Sequence, residues 1–160
     1  MEIPRLLEEA LRKEAFEKGI DEELLLIDKL LRDLDPSTRF TLYKEKANEL
    51  LSEAKKYLES GDLIQASEKA WGACASIVKA YAEKKGLEHY RHRQLEEVMS
   101  KLISTEKDEK LVSDWSICLR LHSNFYEGFM TTEDVKLSLL KVEEFVEVMN
   151  RIMEREFKGT

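Results

Sequence analysis

Residues 62–85 (DLIQASEKAWGACASIVKAYAEKK) restrict the possible folds of this chain more than any other segment. On a helix turning about 100° per residue, Gln65, Lys69, Ser76, Lys79 and Glu83 fall on one narrow face. Apolar side chains, Trp71, Cys74, Ile77, Val78 and Tyr81 among them, occupy roughly 200° of the rest. A surface helix needs an apolar stripe of only about 100°. This segment must therefore be flanked on two sides, and it reads as the central helix of an all-helical bundle. Ala66, Ala70, Gly72, Ala73 and Ala75 allow neighbouring backbones to come close.

Composition agrees with an all-α chain. Only 6 Gly and 2 Pro occur in 160 residues, and 37% of residues are charged, which favours helix over strand. The length suits one domain. The net charge is −7 with the two signs interspersed, which argues against a protein whose main task is gripping phosphate backbones. Abundant Glu and Lys with few amides resembles thermophile usage. Cys74 and Cys118 lie on apolar helix faces, and free buried thiols are expected of them. No signal-peptide pattern and no apolar run of about 20 residues is visible, so a soluble cytoplasmic protein without membrane contact is expected.

Periodicity and punctuation divide the remainder. Pro4 to Lys18 reads as a short helix stopped by Gly19, and Asp21 caps a second with Leu24, Ile27, Leu31 and Leu34 on one face. Residues 1–34 thus form a helical hairpin appended to a bundle spanning residues 35–160. Asp35-Pro36 starts the next helix, which carries Phe40, Tyr43, Ala47, Leu50, Ala54 and Tyr57 along one seam and stops at Gly61. Asp62 and Gln65 make a capping box for the wide-faced helix, which Gly86 ends. Three further helices follow: one around Leu95 to Leu102, one over Leu111–Phe129 with Gly128 near its end, and one carrying Val135 to Phe157, for which Thr131 with Asp134 is a capping signal. Short connections force antiparallel neighbours.

Two segments, SGDLIQASEKAWGACASIVKAYAEKKG (60–86) and LHSNFYEGFMTTEDV (121–135), resemble the paired signatures of the archaeal PaREP family. That family is similar to HEPN domains, antiparallel helical bundles of nucleotide- and RNA-linked systems. The resemblance extends over nearly the whole chain. It implies an antiparallel up-and-down, HEPN-like bundle and, as partners, a nucleotide, RNA or a nucleotidyltransferase-like protein. HEPN RNA cleavage rests on an Arg followed four to six residues later by His. None of His89, His92 and His122 has an Arg at that spacing. Arg120 and His122 are two residues apart, about 200° around a helix, so they cannot cooperate on one proton. No catalytic residue is assigned.

Ligand-binding candidates are therefore argued from local chemistry. His122 lies on an apolar face with Trp115, Cys118, Phe125 and Tyr126. It is either a core imidazole bonded once or a polar group in an aromatic-lined pocket, where burial would disfavour its charged form. Arg120 and Asn124, on the other face, are solvated or line a groove suited to an anionic ligand. His89-Tyr90-Arg91-His92-Arg93 is the one dense basic–aromatic cluster. It is a small anion contact with Tyr90 available for stacking, or simply a helix start. Trp71 is a core or interface anchor, or a ligand wall. His89 and His92 lack supporting ligands at motif spacing, so neither metal nor cofactor is expected. DNA binding is disfavoured as well: the hairpin resembles ribbon-helix-helix rhythm, but only Met1-Glu2-Ile3 precedes it, too short for a reading strand.

These readings converge on a non-enzymatic binding or interaction module, with a ligand site drawn from Trp71, His92, Arg120, His122, Asn124 and Tyr126. The oversized apolar face of residues 62–85 leads to the expectation of a homodimer. The alternatives are a ribonuclease using an unfamiliar arrangement of His92, Arg120 and His122, and a purely structural assembly protein.

Overall fold

The structure, a computed structural model, describes residues 2–158. They form seven α-helices and one 3₁₀ turn, with no strand among the described residues. The helices are α1 (Arg5–Lys18), α2 (Glu22–Leu30), α3 (Pro36–Ser60), α4 (Leu63–Lys85), α5 (His92–Glu106), α6 (Glu109–Glu127) and α7 (Thr132–Glu156), and Leu31–Asp33 form the 3₁₀ turn. The expected caps are in place. Asp21 accepts from the amides of Glu23 and Leu24, Asp35 from Thr38, Asp62 from Gln65 and Thr131 from Asp134. Each satisfies N–H groups that a helix start leaves without intrahelical partners. At the start of α5 the side chain of Gln94 reaches back instead, accepting from the amides of Tyr90 and Arg91 at 2.8 and 2.9 Å.

Helix α4 is central, packing against α3, α5, α6 and α7. Its broadest interface is with α3, and a β-carbon on Gly72 would stand 3.1 Å from Leu50 Cδ1. Gly72 thus sets how closely the two helices approach. Trp71 is 3% exposed and Val78 not at all. Covering this face takes only one chain, so it no longer supplies a reason for a second copy.

The polar stripe of α4 is covered too, with Ser76 and Lys79 buried and Gln65, Lys69 and Glu83 half-buried, which the helical wheel alone does not indicate. Lys79, 1% exposed, donates to Asp28 Oδ2 at 2.8 Å and to the carbonyl of His89 at 2.5 Å. Tyr43 donates to the other Asp28 oxygen at 2.6 Å, and Ser76 donates to the Tyr43 carbonyl at 2.7 Å. Glu83 is held by Arg39 at 3.0 Å and by His89 at 2.6 Å, and Lys69 by Asp21 at 2.6 Å. This polar seam joins α4 to α2 and α3. A buried charge is tolerable only when paired and hydrogen-bonded, and here the N-terminal hairpin supplies the acids. Helix α2 is thereby built into the bundle through Leu24, Asp21 and Asp28. Helix α1 packs chiefly on α2, through a small separate cluster of Leu11, Ala15 and Leu25.

A disulfide joins Cys74 of α4 to Cys118 of α6, their Cα atoms 6.2 Å apart and both side chains fully buried. This corrects the expectation of free thiols. Each cysteine lies on an apolar face as read from the sequence, but only the packing of α4 against α6 brings the two together, within ordinary disulfide span. The bridge closes a loop with a sequence separation of 44 residues. Replacing both cysteines by Ala is expected to lower stability by about 2–4 kcal/mol, read from urea denaturation. The denatured wild-type chain should resist alkylation until a reductant is added.

Asp114 of α6 is 1% exposed, and neither carboxylate oxygen has a hydrogen-bond partner. Burial raises its pKa, with Lys110 opposing and Glu144 adding. The sign follows from linkage: a carboxyl whose pKa is raised on folding favours the native state in acid and loses that contribution as pH climbs past the ordinary aspartate range. Asp114→Asn is expected to stabilise the protein at neutral pH by about 1 kcal/mol and to flatten this dependence. Urea midpoints measured across mildly acidic to neutral pH check it.

Candidate functional site

Four of the six residues picked from the sequence meet at one place. Trp71 of α4 and His122 of α6 are stacked, ring centroids 4.6 Å apart at 15°. His92, the first residue of α5, lies 5.1 Å from His122 and 5.7 Å from Trp71. Tyr126, one turn beyond His122, is 5.4 Å from it. The stack exists because α4 and α6 pack side by side, while the connection after Gly86 returns the chain to start α5 over the end of Trp71.

The other two candidates are engaged elsewhere. Arg120 holds Asp134 through two bonds of 2.6 and 2.7 Å and covers the ring of Phe129 at 5.3 Å. Asn124 is completely buried, donating to Ser67 Oγ and accepting from the amides of Phe129 and Met130, all at 2.8 Å. It is the polar pin of the α6–α7 turn. Asn124 therefore packs inward and does not share an exposed face with Arg120. The basic–aromatic segment also divides. His89 is buried against Glu83, Arg93 pairs with Glu97, and Arg91 and His92 face a cavity.

That cavity, about 240 Å³, lies between the α1–α2 turn, α4 and the start of α5. Its floor is Ile20, Trp71, Ala75 and Leu95, and its polar edge includes Lys18, Arg91 and His92. Lys18 pairs with Glu14 at 2.7 Å, whereas Arg91 has no ion pair among the described residues. The amides of His92 and Arg93, the first two of α5, add positive potential. The wall contributed by Lys18 and Gly19 was not legible as a site. In the sequence Gly19 reads only as a helix stop, and nothing local signals that its turn lands on Trp71.

The turn is held by polar contacts. Trp71 Nε1 donates to the Gly19 carbonyl at 2.7 Å, and Tyr126 Oη donates to the Phe16 carbonyl at 2.9 Å. Phe16 contacts the rings of Phe125 and Tyr126, each at 5.7 Å. Directly beneath Gly19 lies His122 Nε2, buried and without a partner. Burial, with the neighbouring His92, pushes the His122 pKa down to about 4, so the ring is neutral at physiological pH. Burial also raises Tyr126 and Glu68. No group of three or more His, Cys, Asp or Glu side chains able to hold a metal occurs among the described residues.

Gly19 has φ of +61°, and a β-carbon there would overlap His122 Nε2 and Tyr126 Oη. Backbone strain and crowding act together at this one position. Gly19→Ala is expected to cost about 2 kcal/mol or more, measured by thermal or urea unfolding. Gly61→Ala, where φ is +82° and no atom lies within 4 Å, should cost less.

Fold and site define an all-α bundle protein with an aromatic pocket where an N-terminal hairpin meets the bundle. The model of the archaeal PaREP1/PaREP8 family matches residues 42–146, and the chain belongs to that family. The matched region contains Trp71, His92, His122 and Tyr126, and it begins after the α1–α2 hairpin. Comparison with curated proteins and with solved structures returns no match. No helix among the described residues is long and apolar enough to cross a membrane.

Proposed function

We propose that the chain is a non-enzymatic, HEPN-like binding module whose ligand is a small planar anion of the nucleotide class, seated beside Trp71. One observation carries this reading: the cavity pairs an aromatic and aliphatic floor with Lys18, Lys79, Arg91 and His92 in its lining, against the single carboxylate of Glu17. Small-molecule sites have this composition, mostly apolar with a few placed polar groups. A heterocycle packs on the floor, and its anionic substituent reaches the unpaired Arg91 and the first amides of α5. A volume of about 240 Å³ suits one ring system with its charged group outside.

The ribonuclease alternative has less support. Arg120 is committed to Asp134, and His122 Nε2 is shielded by the Gly19 turn, so of the expected participants only His92 and His122 come together, without the arginine. RNA or a nucleotidyltransferase-like protein would engage the module through the same pocket edge.

Calorimetric titration with adenosine and uridine 5′-monophosphates tests the proposal. Binding is expected to weaken at least tenfold in His92→Ala and in Arg91→Ala while the melting temperature stays within a few degrees. Absence of heat with both nucleotides would remove the reading. Incubation with mixed RNA, with and without chelator, should leave the RNA intact. Cleavage abolished by His122→Ala would install the enzyme in its place.

A further inference from the structure

Beneath the turn of residues 16–19, three polar atoms converge from two helices. Trp71 supplies an indole N–H, Tyr126 a hydroxyl and His122 an unpartnered ring nitrogen. The His122 ring lies between the other two, 4.6 Å from Trp71 and 5.4 Å from Tyr126. Trp71 and Tyr126 are donors here, and in the tautomer that carries its proton on Nδ1 the neutral His122 ring offers Nε2 as an acceptor between them. The turn satisfies only the two outer positions, using the carbonyls of Gly19 and Phe16. The middle one faces the Gly19 α-carbon and receives no N–H.

We infer that Trp71 Nε1, His122 Nε2 and Tyr126 Oη form a recess for a cyclic imide edge, O=C–NH–C=O, which the 16–19 turn fills until such a ligand displaces it. Two imide carbonyls take over the bonds now made by the backbone carbonyls, and the N–H between them meets the nitrogen that the turn leaves bare. The turn is an imperfect stand-in for the ligand. The turn can move because α1 rests mainly on α2 and meets the bundle through its last turn. Phe16, which seals the turn, is itself 60% exposed. The recess adjoins the cavity at Gly19 and Trp71, so the inference rests on the pocket reading above and narrows its ligand from planar anions in general to those with an imide edge, as in a uracil ring.

The test compares uridine 5′-monophosphate with its N3-methyl derivative by calorimetry on the wild-type chain. The methyl group removes the central N–H and leaves both carbonyls and the phosphate. It is expected to weaken binding at least tenfold, because a site built to bond a polar group rejects analogues that lack it. In His122→Phe, which keeps a stacking ring, the two compounds should bind alike. Phe16→Ala, which removes a ring contact with Tyr126 and loosens the turn but keeps all three polar atoms of the recess, should tighten binding of the unmethylated nucleotide about threefold or more and speed amide exchange over residues 5–18. Equal binding of the two nucleotides to wild type overturns the imide recess even where the His122 variant fails to fold. Unchanged affinity in Phe16→Ala overturns the turn as competitor. If neither nucleotide binds, the pocket reading itself has failed, whereas binding without discrimination leaves the pocket standing and removes only the imide.

Discussion

The rest of the structure depends on one ion pair, Lys79 with Asp28. An ammonium that is 1% exposed has no water to solvate it, and leaving it without a counter-ion would cost several kcal/mol. Asp28 arrives from α2, and its second oxygen is taken by Tyr43 of α3. The same lysine bonds the His89 carbonyl, just before α5. A single side chain therefore fixes where the N-terminal hairpin, the α3–α4 hairpin and the loop into α5 sit relative to one another. Those are the elements around the cavity. The aromatic pocket is thus a consequence of how the bundle satisfies a buried charge.

Helix α4 has no solvent face over most of its length, and its two sides are covered by different physics. The apolar side meets α3, α6 and α7 by shape, with Gly72 and the alanines permitting close approach. The polar side meets α2 and α3 through paired charges and hydroxyls. Hydrophobic packing alone tolerates some sliding of one helix on another, whereas hydrogen-bonded pairs hold a single register. The disulfide one turn from Trp71 and one turn from His122 adds a covalent limit on how far α4 and α6 can separate. The stack of those two rings is therefore set by constraints on both flanks.

The width of the apolar arc was enough to read α4 as central, because no surface helix needs 200° of greasy face. Gly19, Gly61, Gly86 and Gly128 closed four helices, and Asp21, Asp35, Asp62 and Thr131 opened four, for reasons local to each terminus. Trp71, His122 and Tyr126 were recognisable as a functional candidate from aromatic company at helical spacing. What escaped sequence reading was non-local. A lysine on the polar stripe of a helix looks solvated until a carboxylate 51 residues away is found beside it. The cysteines, Asn124 and Arg120 share that character. Periodicity gives the face on which each lies, and only the packing of other helices decides whether that face meets water, sulfur, an amide or an acid.

His122 carries a cost that core packing alone would avoid. A buried ring nitrogen without a partner costs about 1–3 kcal/mol, and a phenyl ring could stack on Trp71 without that penalty. Gly19 compounds the cost, since the turn must adopt a left-handed backbone and omit a side chain to fit above the same nitrogen. Two unfavourable features meet at this one point, in a bundle whose buried Lys79 and half-buried Lys69 and Glu83 are all paired. Local rules are most often broken where a protein must bind or react. The nitrogen, the glycine above it and the two borrowed carbonyls beside it make better physical sense as parts of a place kept for something else.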